Sequence, residues 1–354
     1  MKQNLIGNKN VTESAFIREF VDRSKTIERK IAFSDGNDIR LIKALDYFQD
    51  FNNSSFYLIG SQAGIAEKIK EAGVKNTSRF YIIDPVTSKY RNDYKSIIKS
   101  SFEKRNKELT EEKLDENVLN TSYWASVMLK TGAADCAVGG SISPTADLMR
   151  AVINVLGLSG SKKTLSGAAF VEIPDCIFGI NGKFLVSDPA IIPQPTEDQL
   201  VDMALSGYET AKGVFSLEPV VALLSYSTKG SAKSDEFDKI RNAVQRVKKI
   251  YPDMVIDGEL QFDAAIVPEV AAIKCPDSPV KGKANVLIFP ELNAANTGYK
   301  IMQRLAKAEV CGTVVQGAAK PFNDLSRGCL VEDIVLLVSM TLMQLKGMED
   351  AGLI

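Results

Sequence analysis

The sequence predicts an α/β protein in which parallel strands alternate with helices that cover the sheet. Short apolar runs recur along the chain and are separated by longer amphipathic segments, which is the pattern of β-α-β units. The chain has 354 residues, which suits about two domains at roughly 150 residues each. A hydrophobic share of 45% is enough to bury a sizeable core.

The first half of the chain alternates regularly between the two kinds of segment. Its apolar runs predict strands at 31–33, 56–59, 81–83 and 134–138. Amphipathic periodicity predicts helices at 38–48, 62–72, 90–102, 117–130 and 146–156. Ser61 and Gly73 bound the second helix, because a hydroxyl side chain caps a helix start and a glycine commonly ends one.

Four prolines interrupt this pattern between residues 168 and 196, and alternation then resumes. Later strands are predicted at 184–186, 220–224, 286–289 and 313–315, and helices at 198–212, 235–249, 297–307 and 332–345. Glycines and lysines break the periodicity at residues 159–164, where we place a domain boundary, and the chain is expected to return near Gly312. The predicted domains are a discontinuous α/β domain, 1–160 plus 313–354, and an inserted α/β domain, 161–312.

The sequence contains no histidine, which excludes several common kinds of active site. Ser-His-Asp triads, Cys-His dyads and HExxH zinc sites all need an imidazole. The glycine spacings of dinucleotide and P-loop triphosphate sites are absent as well. A net charge of −1 gives no reason to expect a nucleic acid or an anionic membrane as partner. Any proton transfer must therefore use carboxylates, Lys, Tyr, Cys or the substrate itself.

The cysteines and the apolar segments predict a cytoplasmic protein. The five cysteines are far apart in the sequence and form no CxxC pair, which is typical of reduced thiols in a reducing compartment. Residues 1–4 do not begin an apolar core of signal-peptide length. The longest apolar-dominated stretch, residues 334–345, is interrupted by polar residues and is too short to span a bilayer.

One polar segment stands out because it follows a predicted strand. Residues 316–329 lie between the strand at 313–315 and the last predicted helix. Ligands of open α/β sheets sit at the carboxyl ends of strands, and a following helix adds free N–H groups and the positive end of its dipole. Ser326, Arg327 and Gly328 supply a hydroxyl, a permanent cation and a flexible backbone. The segment predicts a site for an anion or a developing oxyanion, although an ordinary capped loop with a surface arginine also fits its composition.

Further polar segments have a similar character. Residues 139–145 combine glycines with small hydroxylated residues before a helix, which suits phosphate but also fits an ordinary β-α turn. Three more polar segments could line one cleft, at 225–231, 257–265 and 290–300. A metal site on Asp257, Glu259 and Asp263 is conceivable from their oxygen ligands, but alternate residues of an extended segment point to opposite faces.

These polar segments are also where the chain resembles a known family. SYSTKGSAKS, DGELQFDAA, FPELNAANTGYK and KPFNDLSRGC resemble segments of the phosphate acetyltransferases (phosphotransacetylases) of the phosphate acetyl/butyryltransferase family. The resemblance extends from IAFSDGNDIR, at residue 31, to the final helix. It implies two three-layer α/β domains with mainly parallel sheets and a cleft between them, in a homodimer. It also implies the reversible reaction of acetyl-CoA with phosphate to give acetyl phosphate and CoA, with no metal or nucleotide redox cofactor.

The resemblance implies roles for individual residues. Its NDLSRG segment supplies Ser326 and Arg327, and the family's catalytic aspartate falls on Asp333, seven residues after the serine. An arginine of the family falls on Arg150, in the segment DLMR. These roles imply direct transfer in a ternary complex, in which Asp333 takes the thiol proton of CoA and Ser326 donates to the oxyanion. Arg150 holds the phosphate, and Arg327 contacts either the phosphate or the carbonyl oxygen.

A second phosphate-contacting arginine of the family falls in a stretch where the alignment is ambiguous. A one-residue gap places Arg105 there, and an ungapped match places Lys104. We favour Arg105, because lysine lacks the two-pronged contact that a guanidinium makes with phosphate. A position that is often histidine in the family is Ser143 here. The further residues predicted to bind substrate are Ser143, Thr145, Asn323 and Lys320.

Three alternatives remain open beside this interpretation. A phosphate butyryltransferase would differ in its acyl pocket, and a non-catalytic acetyl-CoA-binding module would show no turnover. An NAD-linked decarboxylating dehydrogenase has a similar two-domain fold, but the missing dinucleotide fingerprint disfavours it. The retained Ser326, Arg327 and Asp333 disfavour the non-catalytic module. The expected partners are CoA, acetyl phosphate and inorganic phosphate, with no nucleic acid and no membrane.

Overall fold

The computed structural model of the protein describes residues 15–49 and 53–354, so residues 1–4, considered above for a signal peptide, lie outside it. The strands are β1 (Lys30–Phe33), β2 (Ser55–Ile59), β3 (Phe80–Ile83), β4 (Cys136–Gly139), β5 (Ser166–Glu172), β6 (Lys183–Ser187), β7 (Val221–Leu224), β8 (Ile256–Leu260), β9 (Val286–Ile288), β10 (Glu309–Gln316) and β11 (Phe322–Asp324). The helices are α1 (Ala15–Ser24), α2 (Ile39–Phe48), α3 (Gln62–Ala72), α4 (Arg91–Glu103), α5 (Glu111–Leu119), α6 (Thr121–Thr131), α7 (Thr145–Ala151), α8 (Glu197–Gly213), α9 (Asp235–Ile250), α10 (Phe262–Ile266), α11 (Pro268–Lys274), α12 (Leu292–Leu305) and α13 (Val331–Asp350). Within the described ranges, none of the helices is long and apolar enough to cross a membrane.

The predicted α/β class is confirmed, with one sheet in each of two compact units. The first unit comprises Met1–Gly157 with Lys320–Leu345. The second unit comprises Leu158–Ala319 with Lys346–Ile354. The last helix, α13, therefore begins in the first unit and ends in the second.

A five-stranded parallel sheet forms the centre of the first unit. Its strand order is β11-β4-β1-β2-β3, and every neighbouring pair is parallel. Small and apolar side chains let β4 be buried along its whole length, and α6 packs against β1, β2 and β4. Because the strands are parallel, their carboxyl ends lie along one edge, where the loops after β1, β4 and β11 begin.

The single helix predicted at 117–130 is wrong, because the structure has two helices there. α5 ends at Leu119 and α6 begins at Thr121. Between them, the side chain of Asn120 accepts hydrogen bonds from the backbone N–H groups of Ser122 and Tyr123, at 2.9 and 3.3 Å. Asparagine in this position caps a new helix. The break is not visible in the apolar periodicity, because both helices bury apolar residues.

The helix predicted at 146–156 also has two parts. α7 covers Thr145–Ala151, and the chain continues as a π-helical segment over Val152–Leu156. Gly157 ends this segment with a φ of +96°, a conformation that favours glycine. The ammonium of Lys130 donates to the carbonyl oxygen of Val155 at 2.6 Å, which satisfies one of the carbonyls left open at a helix end.

A six-stranded mixed sheet forms the centre of the second unit. Its order is β10-β5-β6-β9-β7-β8, in which β5 pairs antiparallel with both β10 and β6 and the other pairs are parallel. The predicted strand at 313–315 therefore lies in this sheet, within β10, and its assignment to the first domain is wrong. The short apolar run does not reveal its partner, because the ladder with β5 extends from Glu309 to Gln316 and is set by long-range pairing.

Hydropathy does not predict β8, because this strand buries two carboxylates. Asp257 and Glu259 are both almost fully buried in it. The ammonium of Lys229 lies 2.6 Å from Asp257 Oδ1, and Nη1 of Arg241 lies 3.0 Å from Glu259 Oε2. Buried carboxylates need such partners, so charge pairing rather than alternation makes this strand possible.

Within the second unit, α8 and the last part of α13 approach too closely to admit a β-carbon at Gly347. This close approach gives a test of the packing. A Cβ added there would lie 2.8 Å from the Cα of Gly213. We expect Gly347→Ala to lower the free energy of unfolding by about 1–3 kcal/mol, because backbone must move. In Gly64→Ala, a matched helical control, the nearest atom would lie 3.5 Å away, and the expected change is a gain of up to about 1 kcal/mol. Urea denaturation compares the two variants, and equal losses would contradict the packing described.

Candidate active site

Three loops begin at the carboxyl edge of the first unit's sheet. The acidic turn (residues 34–38) follows β1, the hydroxyl loop (residues 140–145) follows β4, and the serine–arginine loop (residues 325–330) follows β11. The sequence predicts that Ser326 and Arg327 follow the strand at 313–315, and this is wrong because β11 intervenes. The rule that ligands sit after the carboxyl ends of parallel strands still applies to them, but through β11.

The hydroxyl loop donates its hydrogen bonds to two carboxylates. Ser143 Oγ donates to Asp35 Oδ1 at 2.5 Å, and Thr145 Oγ1 donates to Asp324 Oδ2 at 2.6 Å. Ser141 Oγ lies 3.5 Å from the second oxygen of Asp35. The predicted phosphate-binding hydroxyls of Ser143 and Thr145 therefore already have acceptors, and a phosphate at this loop would have to displace or neutralise a carboxylate.

Of these two carboxylates, Asp324 has fewer hydrogen-bond donors to stabilise its negative charge. Its Oδ1 is buried and has no hydrogen-bond partner among the described residues. Burial, together with the nearby charge of Asp35, raises the pKa of Asp324 to about 6, although the hydrogen bond from Thr145 acts in the other direction. Gly140 makes room for this carboxylate, because a β-carbon there would lie 2.0 Å from Oδ1. The site thus holds a carboxyl group that takes up a proton near neutral pH.

Ser326 and Arg327 lie exposed on a tight turn of the serine–arginine loop. The amide of Cys329 donates to the carbonyl oxygen of Ser326 at 2.9 Å, and the amide of Gly328 donates to Ser326 Oγ at 3.2 Å. Ser326 Oγ accepts in this bond, so its own proton is available for another acceptor. The guanidinium of Arg327 has no ion pair among the described residues, which leaves its donors available to an anion.

Asp333 lies in the first turn of α13, immediately after this loop. Its Oδ2 accepts a hydrogen bond from the amide of Leu330 at 2.8 Å, which is the arrangement of a capping residue at the start of a helix. The side chain is exposed. Structure alone therefore gives Asp333 a capping role, and the same carboxylate is open to a ligand at the loop.

Arg40 links the three loops from the start of α2. Its guanidinium makes a two-pronged contact with Asp38, with Nε 3.1 Å from Oδ1 and Nη2 2.7 Å from Oδ2. The same group donates to the carbonyl oxygens of Ser141 at 2.8 Å, of Arg327 at 3.0 Å and of Cys329 at 2.8 Å. Burial would raise the pKa of Asp38, but hydrogen bonds from Arg40 and Ser141 hold it below its usual value.

The two other predicted phosphate-binding arginines are exposed. Arg150, at the end of α7, pairs with Asp147 of the same helix at 2.5 Å. Arg105 follows α4, and its Nη2 lies beside Gly157, where an added β-carbon would be 3.5 Å away. Lys130 lies near it, and its pKa is lowered mainly by burial and further by Lys104 and Arg105. Both Lys104 and Arg105 therefore contribute positive potential at the end of the π-helical segment.

Asn323 does not fit its predicted role in substrate binding. It is fully buried in β11, and its amide nitrogen donates to Thr341 Oγ1 at 2.8 Å and to Gln344 Oε1 at 3.0 Å on α13. Along a strand, alternate residues point to opposite faces, so Asn323 faces the helix and the core. The side chain of Lys320, which precedes β11, is half-buried.

The three carboxylates that the sequence offers for a metal site are paired with cations. The carboxylates of Asp257 and Glu259 contact Lys229 and Arg241 as described, and Asp263 contacts Lys274 at 2.8 Å. Among the described residues, no three Cys, Asp or Glu side chains gather as metal ligands. A cation bound to these three carboxylates would have to displace their lysine and arginine partners.

The residues that the sequence interpretation missed are Asp35, Arg40 and Asp324. A signal was available for the first two, because the segment SDGNDIR, which contains Asp35 and Arg40, directly follows the predicted strand at 31–33. Apart from Asp38, which lies two positions before Arg40, the partners of these residues lie about 100 to 290 positions away in the sequence, as with Arg40 and Cys329. Without the strand order, nothing in the sequence places them together.

Comparison with known proteins gives concordant matches along nearly the whole chain. The family model described as phosphate acetyl/butaryl transferase matches residues 15–342. A phosphate acetyltransferase of Thermoanaerobacterium thermosaccharolyticum is 41% identical over 335 residues, which cover 93% of this chain and 99% of that protein. Another, from Clostridium acetobutylicum, is 42% identical over 325 residues, or 91% of this chain and 96% of that one. The crystal structure of a phosphotransacetylase from Streptococcus pyogenes has a TM-score of 0.83 and 34% identity, covering 93% of this chain and 98% of its own.

The raised pKa of Asp324 predicts a pH-dependent stability. Its folded value of about 6 exceeds the unfolded value of about 3.9, so the folded state loses stability as pH rises between about 4 and 6. We expect Asp324→Asn to be more stable than the wild type by roughly 2–3 kcal/mol at pH 8 and equally stable at pH 4. Urea denaturation at several pH values measures this, with the exposed Asp253→Asn as control. A difference that is the same at pH 4 and pH 8 would contradict the assignment.

Proposed function

This chain belongs to the phosphate acetyl/butaryl transferase family, and from that premise we propose that it transfers an acetyl group reversibly between CoA and inorganic phosphate by direct attack in a ternary complex. The observation that carries the mechanism is the exposed Ser326–Arg327 pair, which lies directly before the first turn of α13 at the carboxyl edge of a parallel sheet. A hydroxyl donor, an available guanidinium, a carboxylate and a helix start are the groups that acyl transfer to an anion requires.

Phosphate binding is supported by cations whose present partners are weak or absent. Arg327 has no ion pair within the part of the chain that the structure describes. Arg150 is 63% exposed and pairs only with Asp147 of its own helix, and such surface pairs stabilise proteins by at most about 1 kcal/mol. Exchanging this partner for a doubly charged phosphate therefore costs little, and a guanidinium binds phosphate with two parallel hydrogen bonds. Arg105 is proposed as the second arginine of the phosphate site.

Deprotonation of the CoA thiol is assigned to Asp333, because the chain has no histidine. An unperturbed aspartate and an unperturbed thiol differ by about 4.6 pKa units, which corresponds to roughly 6 kcal/mol. This difference must be offset in the complex. The charge of Arg327 and the dipole of α13 favour a thiolate at this position, and proton transfer concerted with attack avoids forming it fully.

The bond changes then follow from these positions. In the direction of acetyl-CoA formation, Asp333 takes the thiol proton as sulfur bonds to the carbonyl carbon of acetyl phosphate. The carbonyl oxygen becomes an oxyanion that accepts the hydrogen bond of Ser326, and its collapse breaks the bond from carbon to the phosphate oxygen. The phosphate leaves held by the arginines, and the proton that Asp333 took from the thiol returns through solvent to this phosphate, which becomes hydrogen phosphate. The protein forms no covalent intermediate.

Several properties implied by the resemblance belong to the same proposal. We propose that the reaction needs no metal or redox cofactor, because the steps above use only side chains of this chain. A homodimer and a cytoplasmic location remain predictions. The location is supported by the five cysteines, which form no disulfide within the described part of the chain, as expected in a reducing compartment.

Direct assay of the protein tests the proposed reaction. With acetyl phosphate and CoA it should form the thioester, and with labelled acetyl phosphate alone it should retain no label on the polypeptide. Absence of thioester would favour the non-catalytic acetyl-CoA-binding module. Retained acetyl label would contradict direct transfer, and faster turnover of butyryl phosphate than of acetyl phosphate would identify a phosphate butyryltransferase.

Removal of the proposed base should mainly affect turnover. We expect Asp333→Asn to lower kcat by about 10²–10⁴-fold with much smaller changes in either KM, because the amide retains a capping oxygen but accepts no proton. The adjacent Glu332→Gln, also exposed in the first turn, removes one negative charge and should stay close to wild-type kcat. Steady-state kinetics with both substrates varied gives the comparison. A near-normal kcat for Asp333→Asn would remove Asp333 from the role of base.

A further inference from the structure

The side chain of Arg40 uses every hydrogen-bond donor that it has. A guanidinium carries five N–H groups, and Nε and one N–H of Nη2 are directed to Asp38. The other N–H of Nη2 is directed to the carbonyl oxygen of Ser141, and those of Nη1 to the carbonyl oxygens of Arg327 and Cys329. The acceptors come from all three loops at the sheet edge, so one planar group connects all three.

The two carbonyl contacts of Nη1 lie on either side of Gly328. Within Ser326–Cys329 the other hydrogen bonds are local, because both join Ser326 to the amides of Gly328 and Cys329. The backbone bond to the sheet comes one residue earlier, where the amide of Leu325 donates to the carbonyl oxygen of Gly139 at 2.7 Å. Local bonds preserve the shape of a turn but do not attach it to the sheet. Beyond Leu325, Arg40 therefore attaches the peptide groups of Arg327 and Cys329 to the loops after the other two strands.

Asp38 holds the guanidinium in the orientation that this attachment needs. Its carboxylate is almost fully buried and also accepts the amide of Arg40 at 2.9 Å, so it caps α2 and anchors the side chain at once. A lysine at position 40 retains a charge for Asp38 but has no planar fork, so it cannot reach carbonyl groups of two further loops in the same geometry.

We propose that Arg40 is a positioning residue for acyl transfer, which keeps the serine–arginine loop in its reactive geometry by binding the carbonyl groups of Arg327 and Cys329. The proposal rests on the proposed function. Arg40 touches neither reacting atoms nor phosphate in this role. Misplacement of a reacting group by about 1 Å commonly costs about 100-fold in rate, so kcat should depend on Arg40 more strongly than the affinity for CoA does.

The variants Arg40→Lys and Lys43→Gln separate this role from a loss of charge or of folding. Lys43 is exposed on the same helix, so Lys43→Gln removes one positive charge without touching the loops. For Arg40→Lys we expect a fall in kcat of about 100-fold, KM for CoA within about threefold, and amide exchange at Cys329 and Leu330 about tenfold faster. Exchange in β2 should match the wild type, which a general loss of structure would not permit. The control should match the wild type in all of these measurements.

Chemical rescue provides a second measurement, which remains informative even if the Arg40 variant is partly destabilised. Addition of ethylguanidinium at non-denaturing concentration to Arg40→Ala should raise kcat at least tenfold with saturation, and it should leave Lys43→Gln unchanged. Normal kcat in Arg40→Lys, or a lowered kcat with unaltered exchange at Cys329, would overturn the proposal. If the wild type has no transferase activity, the proposed function fails, whereas the exchange measurements still decide whether Arg40 holds the loop.

Discussion

Parallel pairing of β11 with β4 is the constraint on which the rest of the site depends. Only three residues of β11 take part, with Phe322, Asn323 and Asp324 opposite Ala137, Val138 and Gly139. The chain leaves the first unit after Gly157 and returns at Lys320, so this short ladder fixes where the returning segment begins. The buried amide of Asn323 then ties the strand to α13. Ser326, Arg327 and Asp333 reach the same sheet edge as the hydroxyl loop because of this pairing.

The two carboxylates Asp38 and Asp324 at that edge differ in how many groups stabilise their negative charge. Asp38 has a guanidinium and a helix amide as partners, whereas Asp324 has one hydroxyl and a neighbouring carboxylate. If phosphate binds at the adjacent loops as proposed, protonation of Asp324 would lower the electrostatic cost of bringing the anion there. The hydroxyl of Thr145, which faces Asp324, would then be able to donate to the anion.

Sequence reasoning was most successful where structure is local, and it failed where structure depends on long-range pairing. Alternation of apolar runs and amphipathic segments predicts the α/β class, and the polar segment before the last helix correctly places Ser326 and Arg327 in a loop beside a helix start. The assignment of residues 313–315 to the first domain is wrong because the residues of a short strand do not determine which strand it pairs with. Asn323 is predicted to bind substrate because β11 is only three residues long and is not recognised from the sequence. It is this strand that directs the side chain of Asn323 into the core. Asp35 and Arg40 were missed because their partners come from other loops.

A crystal structure with CoA and phosphate bound tests the central claim most directly, because the claim concerns which side chains converge on the reacting groups. The account predicts a phosphate within hydrogen-bond distance of the Arg327 guanidinium, the Ser326 hydroxyl directed at the acetyl position, and the CoA sulfur next to the Asp333 carboxylate. Phosphate and sulfur bound away from the serine–arginine loop, with Ser326 and Asp333 facing solvent in the complex, would contradict it.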